Sequence, residues 1–380
     1  MILRIPDYYK EFHCIASKCK HCCCFSWEID VDDQTYAYYR KVDGEFGERL
    51  RKGIRKEKRT FFRMYHGRCP FLTTDHLCEV YQTLGEEAMC EVCTEFPRFE
   101  NDYGNVEEKI LTLSCEEVGR ILFTKKTKIE FIKVEQPEDE IAATAEENST
   151  YQDQDGEMEA ARDYCIDLLQ NRKYSLTKRV SHFLSFCKEV QDYIDQNNTK
   201  KIEKIIQKDS IPSDQSKEID ITRVHKLFQK RMDLFAEMEV MDEEWEEECN
   251  NVMRAFHSDS HRGLYEQTAT EFAKTYKDRE YEYEHLMVYF VYRYLIKAVF
   301  DGRFLDRAKF CVICYLTIRE MDRMRFLING SVYTLEDRIE TARIFSKEVE
   351  HSRMSLEYLS KKIKTEDVFG TDALMEQLAI

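Results

Sequence analysis

From residue 158 to the end of the chain, apolar residues recur at three- and four-residue spacing. That is the period of a helix with one buried face. The pattern predicts helices over 158–172, 176–197, 222–256, 264–276, 280–300, 304–322 and 334–361. Pro212 is the only proline after Pro137, and glycine is sparse, so little interrupts these helices. Long helices of this kind pack as a bundle. Segment 285–318 is the most apolar and should form the bundle's centre, with no parallel sheet in this half of the chain. No 20–50-residue repeat is visible.

The first 125 residues read differently. Pro6, Gly67, Pro70, Gly85, Pro97 and Gly104 punctuate them. Short helices are predicted within 32–60 and 79–94, the first starting at Asp32 or Asp33, both good N-caps. Residues 104–115 alternate weakly and predict a strand or hairpin arm. Residues 135–159 hold ten Asp or Glu and no Lys or Arg. They read as a solvated linker or long loop, or else as an exposed acidic helix face. The expected fold is mostly α. A cysteine-rich metal-binding module with short helices and a small hairpin (1–125) leads through an acidic linker (126–157) to a helical bundle (158–380).

Cysteine changes this picture from architecture to chemistry. Ten of the fifteen cysteines lie before residue 116: Cys14, Cys19, Cys22, Cys23, Cys24, Cys69, Cys78, Cys90, Cys93 and Cys115. Packing does not require three adjacent cysteines, whereas zinc and iron–sulfur centres select thiolates. Neighbouring side chains diverge on regular backbone, so two of Cys22–Cys23–Cys24 are expected to face a metal and the third to pack or serve a second purpose. Cys90-x2-Cys93 opens onto Phe96-Pro97-Arg98, as in turns that present paired thiolates. No zinc-ribbon pair of C-x2-C knuckles is present, and Cys14-x4-Cys19-x2-Cys22 has one residue too many for the C-x3-C-x2-C of radical enzymes. His13, His21, His66 and His76 lie close by and could complete a zinc site. Cys311 and Cys314 sit in an apolar helical run and read as core.

The net charge of −16 disfavours broad nucleic-acid or anionic-membrane binding and suits a cationic target. The opening M-I-L-R-I-P-D-Y-Y-K lacks an apolar signal region, and the most apolar stretch, 287–292, is too short to span a bilayer. The cytosol, where thiols stay reduced, is the expected compartment.

Read in order, the blocks are F-x-C-x4-C-x3-C-C-x2-W-x-I-x-x-D (12–32), C-P-F-L (69–72), L-C-x-V-Y-x2-L-G-E (77–86), C-x2-C-x2-F-P-R (90–98) and S-C-E-E (114–117). This order resembles the flagellin lysine-N-methylase family, itself related to small cysteine-rich proteins described as zinc- or iron-chelating. Segment 288–302 resembles the family's C-terminal half less specifically. The resemblance implies S-adenosylmethionine-dependent methylation of flagellin lysines and a [4Fe–4S] cluster, with zinc as the alternative. It points to Cys14, Cys19, Cys23, Cys24, Cys69, Cys78, Cys90 and Cys93 as the family's cysteines, with Cys115 close behind. Cys22 makes a triplet where the family has a pair.

The residues themselves support methyl transfer only in part. The glycine-rich turn of nucleotide-binding methyltransferases is missing, so a cofactor pocket is expected between the module and the bundle. The 22 Tyr and 23 Phe suffice to line a cation–π cage. Trp27, Tyr81 and Arg98 are candidate cofactor-binding residues near the cluster, or else Trp27 and Tyr81 pack the module and Arg98 pairs with Glu95 or Glu100. Two other functions compete: a non-enzymatic metal-binding interaction module, and a redox or radical enzyme.

Overall fold

A computed structural model describes residues 1–25, 27–135, 155–212 and 219–380. Most of the acidic stretch read as a linker, 136–154, lies outside them. The chain opens with strand β1, Ile2–Pro6, which finds its first partner only at Val106.

Between those points lies a small lobe with its own core. It holds helices α1 (Asp33–Tyr39) and α2 (Gly44–Gly53), a hairpin of β2 (Ile54–Lys56) and β3 (Thr60–Phe62), and helices α3 (Glu79–Leu84) and α4 (Glu91–Glu95). Ile29, Tyr39, Leu50, Phe62, Phe71 and Val80 pack together with Cys69 and Cys90. The helical stretch expected over 32–60 is broken twice. Gly44 takes φ +78°, a conformation that favours glycine, to start α2, and the chain becomes extended at Ile54.

After the lobe, β4 (Arg98–Tyr103) turns at Gly104 into β5 (Val106–Leu111), the predicted hairpin. Helix α5 (Glu116–Thr124) follows, then β6 (Phe131–Glu135). The sheet order is β4-β5-β1-β6, with β1 parallel to β5 and antiparallel to β6. Residues 131–135, read from sequence as part of the linker, are therefore a strand. Neither β1 nor β6 carries a period long enough to announce itself, because pairing across distant sequence makes them strands.

The helical body comprises α6 (Asp155–Leu169), α7 (Leu176–Asp195), α8 (Ile202–Lys208), α9 (Ile221–Ala236), α10 (Glu243–Val252), α11 (Arg262–Tyr276), α12 (Glu280–Tyr294), α13 (Phe304–Ile328), α14 (Leu335–Phe345), α15 (Arg353–Thr365) and α16 (Thr371–Leu378). Among the described residues no strand follows Glu135. Helices α12 and α13 form the centre, as the apolar segment predicts: every residue from 286 to 292 is buried, as are Cys311 and Cys314. Leu111, Val118 and Phe123 join this same core beside Phe183 and Tyr289. The sheet and α5 thus pack with the helices, and the cysteine lobe is an insertion between β1 and β4.

Two predicted helices are interrupted without glycine or proline. The 222–256 segment breaks between Ala236 and Glu243. There the Glu348 carboxylate accepts the N–H groups of Met241 and Asp242 at 2.9 and 3.2 Å, and the Asp242 side chain accepts from Glu244 N–H as N-cap. Side chains satisfy what the helix gives up. The 334–361 segment widens into a π turn, Ser346–Glu350, before α15 begins.

Candidate metal centre and interlobe cleft

Asp32 organises the cysteine lobe. One carboxylate oxygen accepts Thr35 N–H (2.8 Å) and caps α1, while the other accepts Glu91 N–H (3.0 Å) at the start of α4. One side chain thereby fixes Cys90, the residue before α4, relative to α1. The Tyr39 hydroxyl donates to the Ala88 carbonyl (2.6 Å) and holds the same corner. Cys69 N–H donates to the Cys24 carbonyl (3.0 Å), drawing the C-P-F-L block onto the triplet.

The sulfurs of Cys22, Cys23 and Cys24 lie within 4.8 Å of one another. The chain turns at 23–24, and side chains on a turn converge where those on regular backbone diverge, so all three thiols stand together. Cys24 hydrogen-bonds to Cys69, and Cys90 to Cys93. Cys78 feels the charge of both Cys69 and Cys90. Hydrogen bonds from Cys23 and Cys24 hold the Cys22 thiol far below the ordinary range. Hydrogen bonding to Cys24 lowers Cys69, and hydrogen bonding to Cys93 lowers Cys90. Their partners Cys24 and Cys93 are correspondingly raised. Thiols that lower one another's pKa in this way are the donors a soft cation takes over when it binds as a thiolate complex.

Cys14, Cys19 and Cys115 form an outlying set. Burial pushes the Cys115 thiol up to about 11 and Cys19 up to about 12. Cys19 donates to the His21 carbonyl at 3.2 Å. Beside them Glu116, nearly fully buried, accepts the N–H groups of Lys20 (3.0 Å) and His21 (3.1 Å). This carboxylate at the start of α5 fastens the cysteine loop to the helical body.

Between lobe and body runs an open cleft of about 650 Å3. Cys22, Phe25 and Trp27 line one side, and Asp242, Glu244, Arg343 and Lys347 the other. His21 bridges it, 3.0 Å from Glu340 and 3.7 Å from Glu244, and Arg343 pairs with both carboxylates. His66 and His76 also line the cleft, whereas His13 hydrogen-bonds with the Glu11 carbonyl. A second cleft, about 740 Å3, lies beside residues 30–33 and 56–60, and no cysteine lines it.

Of the three residues singled out as cofactor-binding, only Trp27 lines the interlobe cleft. Its indole N–H donates to the Cys23 carbonyl (2.6 Å), and its ring lies 5.0 Å from His351 and 5.5 Å from Phe96. Tyr81 is exposed on α3, where its backbone N–H meets the Cys78 sulfur. Arg98 rests on the Phe12 ring and donates to the Thr94 carbonyl at 3.5 Å, while Glu100 pairs with Lys109.

Sequence reasoning missed the body's side of the cleft. His351 hydrogen-bonds with Thr112 and Ser114 (3.0 Å each) beneath Trp27. Enclosure there, with Arg293 and Lys347 nearby, pushes its pKa down to about 3, so the ring is neutral. Glu350 accepts from the hydroxyls of Tyr289 and Tyr294 and pairs with Arg293 (3.3 Å), anchoring the end of the π turn. No motif marks these residues. Their one local signature, the π turn, is invisible in apolar spacing, although such turns gather at functional sites.

Fold and site together define a helical protein with an inserted thiol-rich lobe and a charged, aromatic-edged cleft beside its thiols. Residues 162–377 match the FliB lysine N-methylase C-terminal domain, and the chain belongs to that family. A lysine-N-methylase of Salmonella typhimurium and one of Salmonella choleraesuis are each 32% identical over 126 residues, 31% of this chain and 31% of theirs. The flagellar biosynthetic protein FliU of Salmonella muenchen is 32% identical over 126 residues, 75% of its length. The matched stretch thus spans under a third of the two lysine-N-methylases. No solved structure matches the chain. Among the described residues, no helix is long and apolar enough to cross a membrane.

Proposed function

We propose that this protein is a cytosolic lysine N-methyltransferase that moves methyl groups from S-adenosylmethionine to flagellin lysines. Family membership carries this reading. The chemistry asks for positioning more than for reactive side chains. A neutral lysine amine attacks the sulfonium methyl in line, the new N–C bond forms as the C–S bond breaks, and the amine's surplus proton leaves to water. Partial desolvation in the cleft favours loss of the lysine's proton.

The residues that would hold a [4Fe–4S] cluster, or zinc in its place, are drawn from Cys22, Cys23, Cys24, Cys69, Cys78, Cys90 and Cys93. The soft donor set fits either. A bound cluster supplies redox-capable iron and rigidity at the cleft's edge. Anaerobically purified protein is expected to be brown with iron and sulfide, and stoichiometric zinc in a colourless preparation would exclude the cluster. Incubation with labelled S-adenosylmethionine and flagellin tests the activity. Replacing Cys90 and Cys93 together by serine is expected to remove metal and methylation alike. A metal-free double variant that still methylates flagellin fully would uncouple the two. If the intact protein labels nothing, the lobe acts as an interaction module.

A further inference from the structure

Lys347 occupies an unusual place. It projects from the π turn into the interlobe cleft, with about a tenth of its side chain exposed. Its ammonium lies 2.5 Å from an Asp242 carboxylate oxygen and 5.6 Å from the centre of the Trp27 ring. A carboxylate and an indole face meeting at one ammonium is the chemistry that recognises lysine and methylated lysine. The two halves of this cradle come from different lobes. Trp27 is held by its bond to Cys23, within the thiol set, and Asp242 by the N-cap geometry of α10. The widened turn carries Lys347 into it, and exposed Met241 and Glu243 line the same cleft.

We propose that this cradle is the acceptor-ammonium subsite. In the free protein Lys347 fills it as an internal surrogate, and an incoming lysine side chain displaces Lys347. The proposal rests on the lysine-methylating reading and names where that reaction's acceptor binds. Lys347 is then a competitor that sets the affinity for substrate: only an ammonium able to replace both the carboxylate contact and the ring contact enters.

The test uses the full chain without methyl donor. The probe is Nα-acetyl-Nε-trimethyl-lysine amide, with Nα-acetyl-norleucine amide as its uncharged control. Calorimetric titration should give Lys347→Met an affinity for the cationic probe about fivefold or more above that of the parent, since the internal competitor is gone. Adding Trp27→Leu to that variant should abolish the gain. The parent supplies a check that needs no variant: saturating probe should increase acylation of the Lys347 amine by an amine-reactive ester, read by peptide mass spectrometry. The proposal is overturned if a folded Lys347→Met binds the probe no more tightly than the parent, if the norleucine control binds equally well, or if probe leaves Lys347 labelling unchanged or lower. A protein that binds the probe as expected yet transfers no methyl group keeps the subsite and loses the activity. Flagellin methylation without any gain in Lys347→Met keeps the activity and loses the subsite.

Discussion

Trp27 and His351 show how a single contact depends on both lobes. The indole covers the imidazole, and Thr112 and Ser114 bond to it from the end of the sheet. Because enclosure depresses the folded pKa to about 3, the native state holds a neutral ring where the unfolded chain takes up a proton near pH 6.5. The unfolded state therefore binds more protons between these values. The stability contribution is complete above about pH 6.5 and drains away as pH falls toward 3, at up to ~1.4 kcal/mol per pH unit. Denaturant unfolding of the parent and of His351→Gln at pH 7.5 and 5.5 should show the parent losing more stability on acidification. Equal losses would mean that the ring is solvated in the native protein.

At the scale of elements, close backbone approaches decide how the cysteine lobe is assembled. A Cβ on Gly47 in α2 would lie 1.9 Å from the Val42 carbonyl oxygen, and backbone cannot swing aside as a side chain does. Gly53 is pressed by a side chain instead, the Phe71 ring at 2.6 Å. Phe71 belongs to the C-P-F-L block and packs in the same core as Cys69 and Cys90. Gly47→Ala is accordingly expected to destabilise the lobe by about 1–3 kcal/mol, the usual cost of overpacking, and to loosen the thiol set. The helical body has its own core and should keep its far-ultraviolet circular dichroism. Native-state hydrogen exchange separates the two, because faster exchange confined to residues of the lobe is the expected result. Uniform acceleration across α12 and α13 would show that the lobe does not open separately.

The whole molecule is held by buried charge as well as by apolar surface. Asp322 on α13 is fully buried and accepts from Tyr283 (2.5 Å), Tyr333 and Arg338, three groups on other parts of the chain. Glu284 pairs with Arg179 (2.6 Å) and Arg172 (2.9 Å), linking α12 to α7 and to the turn between α6 and α7. Removing one partner of such a set strands the others in a medium that solvates them poorly. Asp322→Asn should cost about 3–5 kcal/mol in denaturant unfolding. The exposed Arg353–Glu357 pair is the control, and Glu357→Ala should leave the midpoint where it is. If the two variants behaved alike, the buried network would carry no special weight.

What the sequence determined by itself is local. Helical period located most of the body, because each helix needs only its own apolar face to be recognised, and α12 and α13 are buried as their composition predicts. Thiol density marked the lobe as the candidate for soft-metal binding, and Asp32 was legible as a cap. Tertiary structure decided everything that joins distant residues. Strand β1 exists because it pairs with β5 and β6, and β6 because it pairs with β1. The helix over 222–256 breaks because Glu348, from another helix, accepts the N–H groups it frees. Cys22 joins its neighbours because the backbone turns there. The cleft's far wall of Asp242, Arg343 and Lys347 carries no pattern of its own, nor does His351 beneath Trp27, because these residues come together only when α10, the π turn and the cysteine lobe pack against each other. Periodicity and spacing record what a segment needs from its neighbours in the chain, whereas a site between two lobes depends on contacts that close only on folding.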